Sequence, residues 1–414
     1  MTETTPIELL LVRTEAERRR FVEVQFSLNR SDPAWVPPLR TEVLELTSPR
    51  RNPWFDHARA AFFIATRTEN GVQRDVGRIS AQVDELWLAL APDRGGGPGC
   101  GTWGMFEAAD AAVAAALLGR ARDWLAAEGM ARMAGPLSLS IWDEPGLLVR
   151  GFEQPPTVMM GHNSPAYPAW VEAAGHRKAH DLHTGELDIT RSFSPLVQRI
   201  VAAGERNGRI RIRKADTKRF AAETAVILSI VNDAWDGNWG IVPFTAAEIA
   251  HAGRKLKPVV FADLVRIAEY DGEPVAFMLT LPDVNEMLVD LDGRLFPFGF
   301  ARLLWRLRGG LRGRPQVRRM RVPLMGVRKA FQASRLASQM AFMMIEAIRR
   351  DAVARFGASR AEIGWIAEDN GGMLSVAEAI GSTVNRTYRI YARELDHGAG
   401  TGSSSVDASQ GGNT

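Results

Sequence analysis

The sequence contains a single cysteine, Cys100, among its 414 residues. One cysteine cannot form an intramolecular disulfide or supply a cysteine-based zinc cluster. Three of the seven histidines, His176, His180 and His183, lie close together, but no His-Glu-x-x-His motif is present. These absences exclude a disulfide scaffold and predict no metal, and they are consistent with a reducing compartment.

Long apolar runs and a strong excess of one charge are also lacking. The unbroken run Ala111–Leu118 is far shorter than the roughly 20 residues that span a bilayer. Near the N-terminus, Ile7–Val12 is preceded by Glu3 rather than by basic residues, which is untypical of a signal peptide. The 51 Lys and Arg nearly balance the 48 Asp and Glu. We therefore expect a cytoplasmic protein with no nucleic-acid partner.

Strand-like and helix-like patterns alternate along the chain in two similar sets, which predicts a mixed α/β fold. The turns Asn70-Gly71 and Asp271-Gly272, about 200 residues apart, each predict a β-hairpin. In both halves a helix, a strand and a segment from Asn to Gly follow the hairpin. We interpret this as a tandem pseudo-repeat, although this order of elements also recurs by chance in α/β chains. The predicted division is 1–190 and 191–396, with a disordered polar tail at 397–414.

The most informative stretch is Arg318 to Met340, where a predicted strand leads through a short basic loop into a long helix. Such a junction presents unpaired N–H groups and a positive helix end to a phosphate. Arg328, Lys329 and Arg335 add positive charge there. Basic strand–loop–helix junctions are common, so this pattern alone does not identify a ligand.

This stretch resembles the pyrophosphate loop of the GNAT superfamily of acyl-CoA N-acyltransferases. Val327 and Gln332 fall at matching positions, whereas Arg335 stands where the superfamily has a glycine. The resemblance implies that acyl-CoA binds along this strand and loop, with the N–H of Met325 or Gly326 as a candidate oxyanion donor. The residues that it assigns to this role are Met325, Gly326, Val327, Arg328, Lys329, Gln332, Ala333, Ser334, Arg335 and Ala337.

A second resemblance to the superfamily is the spacing from Asn370 to Gly381. The superfamily has a tyrosine between them that protonates the departing thiolate, but here that position is Ala377. A thiol pKa of about 8.5 makes this loss tolerable. In the first half, the segment from Asn163 to Gly175 resembles the segment from Asn370 to Gly381, but the first half has no counterpart of the basic loop. We therefore expect the second half to bind the acyl donor and the first half to be degenerate.

A narrower resemblance covers nearly the whole chain. It is to a bacterial family of tandem GNAT-like proteins, some of which are linked to ceramide synthesis, in which a long-chain acyl group is placed on a sphingoid amine. The segments that carry it are NPWFDHARAAFFIATR (52–67), VGRISAQVD (76–84), GLLVRGFEQPP (146–156), NDAWDGNWGIVP (232–243), PLMGVRK (323–329) and GWIAEDNGGML (364–374).

The acyl transfer that the resemblance implies needs a base for the amine. Glu368 is the candidate base and Asn370 a candidate substrate contact, because both follow a predicted strand. Alternatively, both residues cap the next helix. Tyr388 is a candidate replacement for the missing acid, although strand tyrosines are more often structural.

The acceptor site is predicted at a polar and aromatic cluster that consists of Asp233, Trp235, Asn238 and Trp239. In this prediction Asp233 pairs with the amine; alternatively, the tryptophans only pack under a loop. A further set, Asp143, Glu144 and Tyr167, lies on the extra segment of the first half. It is a candidate for the same cleft.

One more segment, from Phe296 to Arg321, interleaves eight arginines with phenylalanine, leucine and Trp305, and no Asp or Glu occurs from Leu295 to Ile345. This composition is typical of a helix that rests on an anionic membrane. The alternative is a buried helix whose basic face meets CoA phosphates or acyl carrier protein.

Together these patterns predict an α/β (α+β) protein of two tandem GNAT-like domains, each a mixed twisted sheet flanked by helices. We expect an N-acyltransferase that takes an acyl group from acyl-CoA or acyl carrier protein. The arginine-rich segment favours a peripheral position on the inner face of the membrane. The alternatives are an acetyl-CoA-dependent acetyltransferase and a non-catalytic acyl-CoA-binding protein. A cysteine nucleophile is not predicted, since Cys100 has no basic neighbour.

Overall fold

The computed structural model describes residues 6–295, 297–307, 309 and 317–395. The strands in these ranges are β1 (Ile7–Leu11), β2 (Ala58–Glu69), β3 (Val72–Asp84), β4 (Cys100–Ala108), β5 (Arg132–Gly135), β6 (Leu147–Arg150), β7 (Arg177–Asp188), β8 (Ile210–Lys214), β9 (Val265–Tyr270), β10 (Glu273–Pro282), β11 (Arg319–Val327), β12 (Arg360–Ala367) and β13 (Thr383–Glu394). The α-helices are α1 (Glu15–Asn29), α2 (Arg40–Leu46), α3 (Glu85–Leu88), α4 (Ala111–Ala127), α5 (Tyr167–Ala173), α6 (Pro195–Glu205), α7 (Phe220–Trp235), α8 (Ala246–Leu256), α9 (Asn285–Leu288), α10 (Gly299–Leu307), α11 (Lys329–Gln332), α12 (Arg335–Asp351) and α13 (Gly371–Ala379).

Both predicted hairpins are confirmed. Strands β2 and β3 pair antiparallel, as do β9 and β10. The turn residues all have positive φ, 52° and 76° at Asn70 and Gly71 and 52° and 86° at Asp271 and Gly272. A two-residue turn of this kind matches the right-handed twist of the flanking strands.

The two long helices α4 and α12 begin at the side-chain caps Asp110 and Ser334. In α12 the residues Met340, Met344 and Ile348 recur every four positions, and all three are buried. This spacing places them on one face of the helix. Helix α12 therefore packs against the sheet through a methionine-rich stripe.

All strands belong to one continuous sheet of 13 strands in the described part of the chain. Its order is β1-β2-β3-β4-β5-β13-β7-β12-β11-β10-β9-β8, and β6 pairs with β13. Most neighbours are antiparallel, but β4 and β5 are parallel, and so are β11 and β12. The predicted mixed sheet flanked by helices is thus confirmed.

The last strand of each half pairs with strands of the other half. Strand β7 pairs with β12 and β13, and β13 pairs with β5 as well as with β7. Each half therefore supplies the strand that completes the sheet at the other half. The division at residues 190 and 191 stays a proposal, and the sheet runs without interruption across it. The predicted disordered tail, 397–414, lies outside the described residues.

Helices cover both faces of the sheet. In the second half, α6 and α12 pack on one face and α7 and α8 on the other. In the first half, α4 and α5 pack on one face and α1 on the other. Where the halves meet, a separate apolar cluster contains several tryptophans, namely Trp87, Trp142, Trp235, Trp239 and Trp365. No helix in the described ranges combines the length and the apolarity that a bilayer crossing requires.

A histidine also bridges the halves. His57 Nδ1 lies 3.0 Å from Asp84 Oδ1, and His57 Nε2 lies 3.4 Å from Glu248 Oε1 on α8. The hydrogen bond with Asp84 raises the pKa of His57 from 6.5 to about 9, although burial opposes the shift. A pKa that is higher in the folded state stabilises the protein fully below pH 6.5. That stabilisation is lost as pH rises through about 9.

We therefore expect His57→Gln to flatten the pH dependence of stability. The wild-type free energy of unfolding should fall as pH rises from 6.5 to about 9, and the variant should show a smaller fall. Urea unfolding at a series of pH values measures both curves. An unchanged slope in the variant would show that His57 does not gain its proton on folding.

Candidate active site

The parallel strands β11 and β12 separate halfway along their length. They pair from Arg319↔Arg360 to Val322↔Ile363, and no pairing follows. The next residue on β11 is Pro323, which has no N–H to donate to a neighbouring strand. The register of β11 against β10 also shifts before Leu324, so a bulge bends β11 at this point. The sequence of β11 itself thus ends the ladder.

Strand β12 bends at the same level. Its register against β7 shifts between Ile363 and Ile366, on either side of Gly364 and Trp365. Gly364 has a φ of +131°, and a Cβ there would lie 2.7 Å from His183 O of β7. Only glycine fits this position without strain. The bulge directs Trp365 into the space that the two strands leave between them, since Trp365 lines that space.

The opening between β11 and β12 is a cleft with a cavity volume of about 50 Å³ that is partly open to solvent. Its lining consists of Trp235, Asn238, Trp239, Val322, Pro323, Met325, Ile363, Gly364, Trp365, Ile366, Ala367, Asn370 and Met373. The only polar side chains besides the indoles are the two asparagines. The cleft is therefore apolar and aromatic, and no titratable side chain lines it.

The backbone of β11 faces the cleft at every second residue. The N–H of Arg328 donates to Val275 O at 2.8 Å, and the register with β10 is regular back to Leu324. Hydrogen-bonded and free positions alternate along an antiparallel pair. Gly326 therefore bonds to β10, whereas the N–H of Met325 points into the cleft. Of the two predicted oxyanion donors, the geometry favours Met325.

Gly326 allows helix α7 to pack tightly on β11. A Cβ at Gly326 would lie 3.0 Å from Phe277 Cε1 and 3.2 Å from Ala234 Cβ. Because α7 comes this close, Trp235 Nε1 donates to Met325 O at 3.0 Å. Trp235 is thereby fixed as one wall of the cleft.

The basic loop follows β11 as predicted, but two of its charges are engaged. Arg328 donates to Pro274 O and to Ser229 Oγ, both at 3.1 Å. Lys329 pairs with the exposed Asp236. Both cations lie at the predicted position and hold the loop against neighbouring elements.

The rest of the loop contains a short helix, α11, before α12 begins. Gln332 Nε2 donates to Val327 O at 2.8 Å, and Ser334 is the cap of α12. Arg335, in the first turn of α12, is exposed and makes no hydrogen bond or ion pair with any described residue. The predicted residues Ala333 and Ala337 flank this cap. Arg335 is thus the cation that is free to meet a phosphate.

Asp233 occupies a different place from the predicted acceptor site. It lies outside the cleft lining, and its Oδ2 accepts a hydrogen bond from the N–H of Lys329 at 2.9 Å. It faces the loop because it lies near the last turn of α7, close to the end of β11. The other three residues of the predicted cluster, Trp235, Asn238 and Trp239, all line the cleft.

Glu368 is held by basic and backbone groups rather than facing the cleft. Its Oε2 lies 2.6 Å from Lys178 Nζ, and its Oε1 accepts from the N–H of Asp181 at 3.1 Å. Burial raises the pKa of Glu368, but these hydrogen bonds more than offset it, so the pKa lies below its usual value. A carboxylate stabilised in this way is a weak proton acceptor.

The other two candidate catalytic residues differ in position. Tyr388 is fully buried, does not line the cleft, and donates its hydroxyl proton to Gly161 O at 3.0 Å. Burial raises its pKa, which is the wrong direction for a proton donor. Asn370 both lines the cleft and caps α13, since its Oδ1 accepts from the N–H of Met373 at 3.1 Å. The cap interpretation of Asn370 is therefore confirmed, and its contact with a substrate stays a prediction.

His180, which the sequence reasoning considered only as a metal ligand, lies one layer behind the cleft. Its ring stacks on Trp239 with centroids 4.5 Å apart and planes 6° apart. Burial lowers the pKa of His180, although the neighbouring carboxylates oppose the shift. Its Nε2 has no hydrogen-bond partner among the described residues and lies 3.5 Å from Asp369 Oδ1. The sequence signal for this position was slight, because His180 belongs to a strand of the other half.

The extra segment of the first half supports the cleft from behind. Trp142 stacks on Trp235 with centroids 5.6 Å apart. Next to it, burial raises the pKa of Asp143 to about 6, although a hydrogen bond from Ser140 opposes the shift. Neither Asp143 nor Glu144 lines the cleft.

The equivalent opening of the first half is filled by the chain itself. The ladder between β4 and β5 ends at Thr102, and the N–H of Leu137, two residues after β5, then donates to Trp103 O at 2.7 Å. There Tyr167 accepts a hydrogen bond from the N–H of Ala108 at 3.0 Å and donates to the buried Glu107 at 2.9 Å. Tyr167 therefore belongs to this closed site and not to the cleft of the second half.

This architecture is a tandem GNAT fold. A tandem GNAT protein from the clavulanic acid biosynthesis pathway superposes with a TM-score of 0.52 at 12% identity, covering 94% of this chain and 99% of that chain. A GCN5-related N-acetyltransferase from Sphaerobacter thermophilus superposes with a TM-score of 0.51 at 11% identity, covering 95% and 97% of the two chains. At these identities the likeness shows the fold alone.

Sequence relatives define the family more narrowly. The chain is 41% identical over 390 residues to the bacterial ceramide synthase of Caulobacter vibrioides, covering 94% of this chain and 98% of that protein. It is 40% identical over 390 residues to protein YghO of Escherichia coli K12, covering 93% and 95%. The protein belongs to the family of these two proteins, as the resemblance predicted. No family model matches the chain.

Proposed function

We propose that the protein is an N-acyltransferase that moves a long-chain acyl group from a thioester to the amine of a sphingoid base. The observation that carries the proposal is the apolar cleft between β11 and β12, into which the N–H of Met325 points. A backbone donor in a dry cleft stabilises the charge that develops on a carbonyl oxygen during acyl transfer. The relative named ceramide synthase supports the choice of acceptor.

We propose acyl-CoA as the donor. A pantetheine arm fits beside Pro323–Val327, because β12 leaves this edge of β11 unpaired. The free Arg335 and the first turn of α12 lie at the end of the same strand and suit the phosphates. Acyl carrier protein presents the same phosphopantetheine, so its surface is the alternative source of the thioester.

We propose a long acyl chain rather than an acetyl group, because the walls of the cleft include Val322, Ile363, Ile366 and Met373 and the relative at 41% identity is named a ceramide synthase. One observation favours a different function, that of a non-catalytic acyl-CoA-binding protein. No titratable side chain lines the cleft, and a sensor needs none.

The proton of the amine needs an acceptor, and we propose His180 rather than Glu368 for this role. Burial lowers the pKa of His180, and its Nε2 has no hydrogen-bond partner among the described residues, whereas Glu368 is bonded to Lys178. Asp369, next to His180, is largely exposed and connects this pair to solvent. We therefore propose that the proton leaves past Trp239 toward His180 and Asp369.

The test is a turnover assay with the purified protein. Palmitoyl-CoA, acetyl-CoA and palmitoyl-acyl carrier protein are each supplied with sphinganine, and the amide product is measured by mass spectrometry. We expect N-palmitoyl product from palmitoyl-CoA. Product only from acetyl-CoA would support the acetyltransferase alternative. Calorimetric binding of palmitoyl-CoA with no product from any amine would support the sensor.

Reversing the free charge of the loop should weaken donor binding. We expect Arg335→Glu to raise KM for acyl-CoA by about tenfold or more, because a charge-assisted phosphate contact is replaced by repulsion. The turnover number should change little, since Arg335 lies away from the cleft. Steady-state kinetics measures both constants.

The matched control is Arg191→Glu, because the Arg191 side chain is 87% exposed and lies on a different surface. It should leave KM unchanged. Equal effects of the two substitutions would remove Arg335 from the phosphate site.

A further inference from the structure

The exposed aromatic side chains of the described residues are concentrated in one stretch. Phe298 is 79% exposed, Trp305 53% and Phe300 48%, and every other described Phe, Tyr and Trp is at least partly buried. Val289, 52% exposed, lies in the preceding turn. We call these four residues the aromatic patch. A cluster of exposed apolar side chains of this kind marks an interaction surface.

The patch results from an amphipathic helix whose other face is anchored. The N–H of Arg302 donates to Phe298 O at 3.1 Å, so the helical turns begin at Phe298. Phe298, Arg302 and Trp305 then share one face by their spacing. On the opposite face, Leu303 and Leu307 pack into an apolar cluster with α9. Phe298 and Trp305 are therefore held outward by a fixed scaffold.

The sequence that carries the patch is basic, since residues 289–316 contain six arginines against two aspartates and have a net charge of +4. The structure describes three of these arginines, Arg294, Arg302 and Arg306. Asp290 is shared by Arg302 at 2.8 Å and Arg306 at 2.7 Å. One carboxylate therefore orients two guanidinium groups beside the aromatic rings and leaves the segment positive.

The patch is connected to the strand that forms the cleft. Asp283, just before α9, pairs with Arg319 at 2.8 Å, and Glu286 accepts from the N–H of Arg318 at 2.8 Å. Arg319 is the first residue of β11, and Val322, three residues later, lines the cleft. Three residues of strand span about 10 Å. The elements that precede the patch are thus connected to the cleft through β11.

We propose that the aromatic patch docks on an anionic lipid bilayer. Phe and Trp side chains bury at the level of the lipid headgroups, while arginines pair with anionic headgroups. The two guanidinium groups described on the same helix, those of Arg302 and Arg306, favour an anionic surface. This inference deepens the proposed function by giving the lipid acceptor a route to the cleft, but the docking itself requires no turnover.

Vesicle cosedimentation tests the proposal with the full-length protein. We expect binding to vesicles that contain phosphatidylglycerol, weak binding to pure phosphatidylcholine, and a decrease with added salt. The double variant Phe298→Ser, Trp305→Ser should reduce the bound fraction about tenfold. Leu196→Ser is the control, because Leu196 is 56% exposed at a different surface and should not affect binding.

Other results would overturn the proposal. Wild-type protein that does not sediment with phosphatidylglycerol vesicles, or a double variant that binds like wild type, excludes a docking role for the patch. A wild-type dimer that the double variant dissociates in analytical ultracentrifugation would assign the patch to a second copy of the chain. Turnover with palmitoyl-CoA and a water-soluble amine should be equal in both proteins, which separates failed docking from failed catalysis.

Discussion

Gly326→Val is expected to reduce kcat/KM on the order of 100-fold, because it moves one wall of the cleft. A Cβ at this position already lies 3.0 Å from Phe277 Cε1, 3.2 Å from Ala234 Cβ and 3.6 Å from Trp235 Nε1. The two further carbons of valine have no room, so the end of α7 must shift away from β11. Trp235 then loses its hydrogen bond to Met325 O, and the adjacent N–H no longer has a fixed position relative to the cleft.

Two further variants separate this effect from general damage. Gly326→Ala adds only the Cβ, which its neighbours can accommodate by shifts of a few tenths of an ångström, so a much smaller loss is expected. Gly119→Val, on helix α4, places its Cβ where nothing lies within 4 Å and should keep full activity. Steady-state kinetics and thermal unfolding are measured together, because overpacking also costs about 1–3 kcal/mol. A folded Gly326→Val protein with wild-type kinetics would rule out the cleft as the reaction site.

The sequence is sufficient to predict those parts of the fold that local chemistry decides. The hairpins follow from Asn70-Gly71 and Asp271-Gly272, because these residues adopt positive φ readily. The start of α12 follows from Ser334, a typical cap. The exchange of β7 and β13 between the halves could not be predicted. The strands that pair with them are far away in sequence, and the residue pattern of a strand does not indicate its partners.

For the site, the sequence predicts which residues lie near the cleft better than it predicts where their side chains point. Trp235 and Trp239 are predicted at the acceptor site, and both line the cleft. Glu368 follows the correct strand, but its side chain points toward β7, which the sequence could not place next to β12. Pro323 offered a usable signal for the opening, since a proline inside an internal strand interrupts its ladder. The sequence does not indicate that Trp365 lines the site, because a single tryptophan in a strand is typical of an ordinary core residue.

The largest effect on stability is expected from Glu362, which is buried between two arginines. Glu362 lies 2.8 Å from Arg386 Nη1 and 3.6 Å from Arg321 Nη1, and it accepts from Thr157 Oγ1 at 2.5 Å and Asn385 Nδ2 at 2.7 Å. Arg321, Glu362 and Arg386 are each at most 2% exposed. Removing the carboxylate leaves two guanidinium groups without their counter-charge in the interior, so Glu362→Leu should cost about 3–5 kcal/mol. Urea unfolding measures this loss.

The contribution of Glu362 to the free energy of unfolding depends on pH in a direction that follows from its pKa. Burial raises the pKa of Glu362, but Arg321, Arg386 and the hydrogen bonds outweigh burial and hold the pKa below its usual value. A lowered pKa in the folded state stabilises the protein above the unfolded value, about 4.3, and this stabilisation is lost on acidification. Wild-type stability should therefore fall below that pH more steeply than the stability of Glu362→Leu.

Two comparisons identify the cause of the loss. Glu186, opposite Glu362 on β7, pairs with the exposed Arg360 at 3.1 Å, so Glu186→Leu should cost no more than about 1 kcal/mol. The triple variant Arg321→Met, Glu362→Leu, Arg386→Met removes all three charges together and should recover most of the stability, because the attraction among buried charges is largely offset by their desolvation. If the triple variant were as unstable as Glu362→Leu, the shape of the network rather than its unpaired charge would determine the stability of this junction.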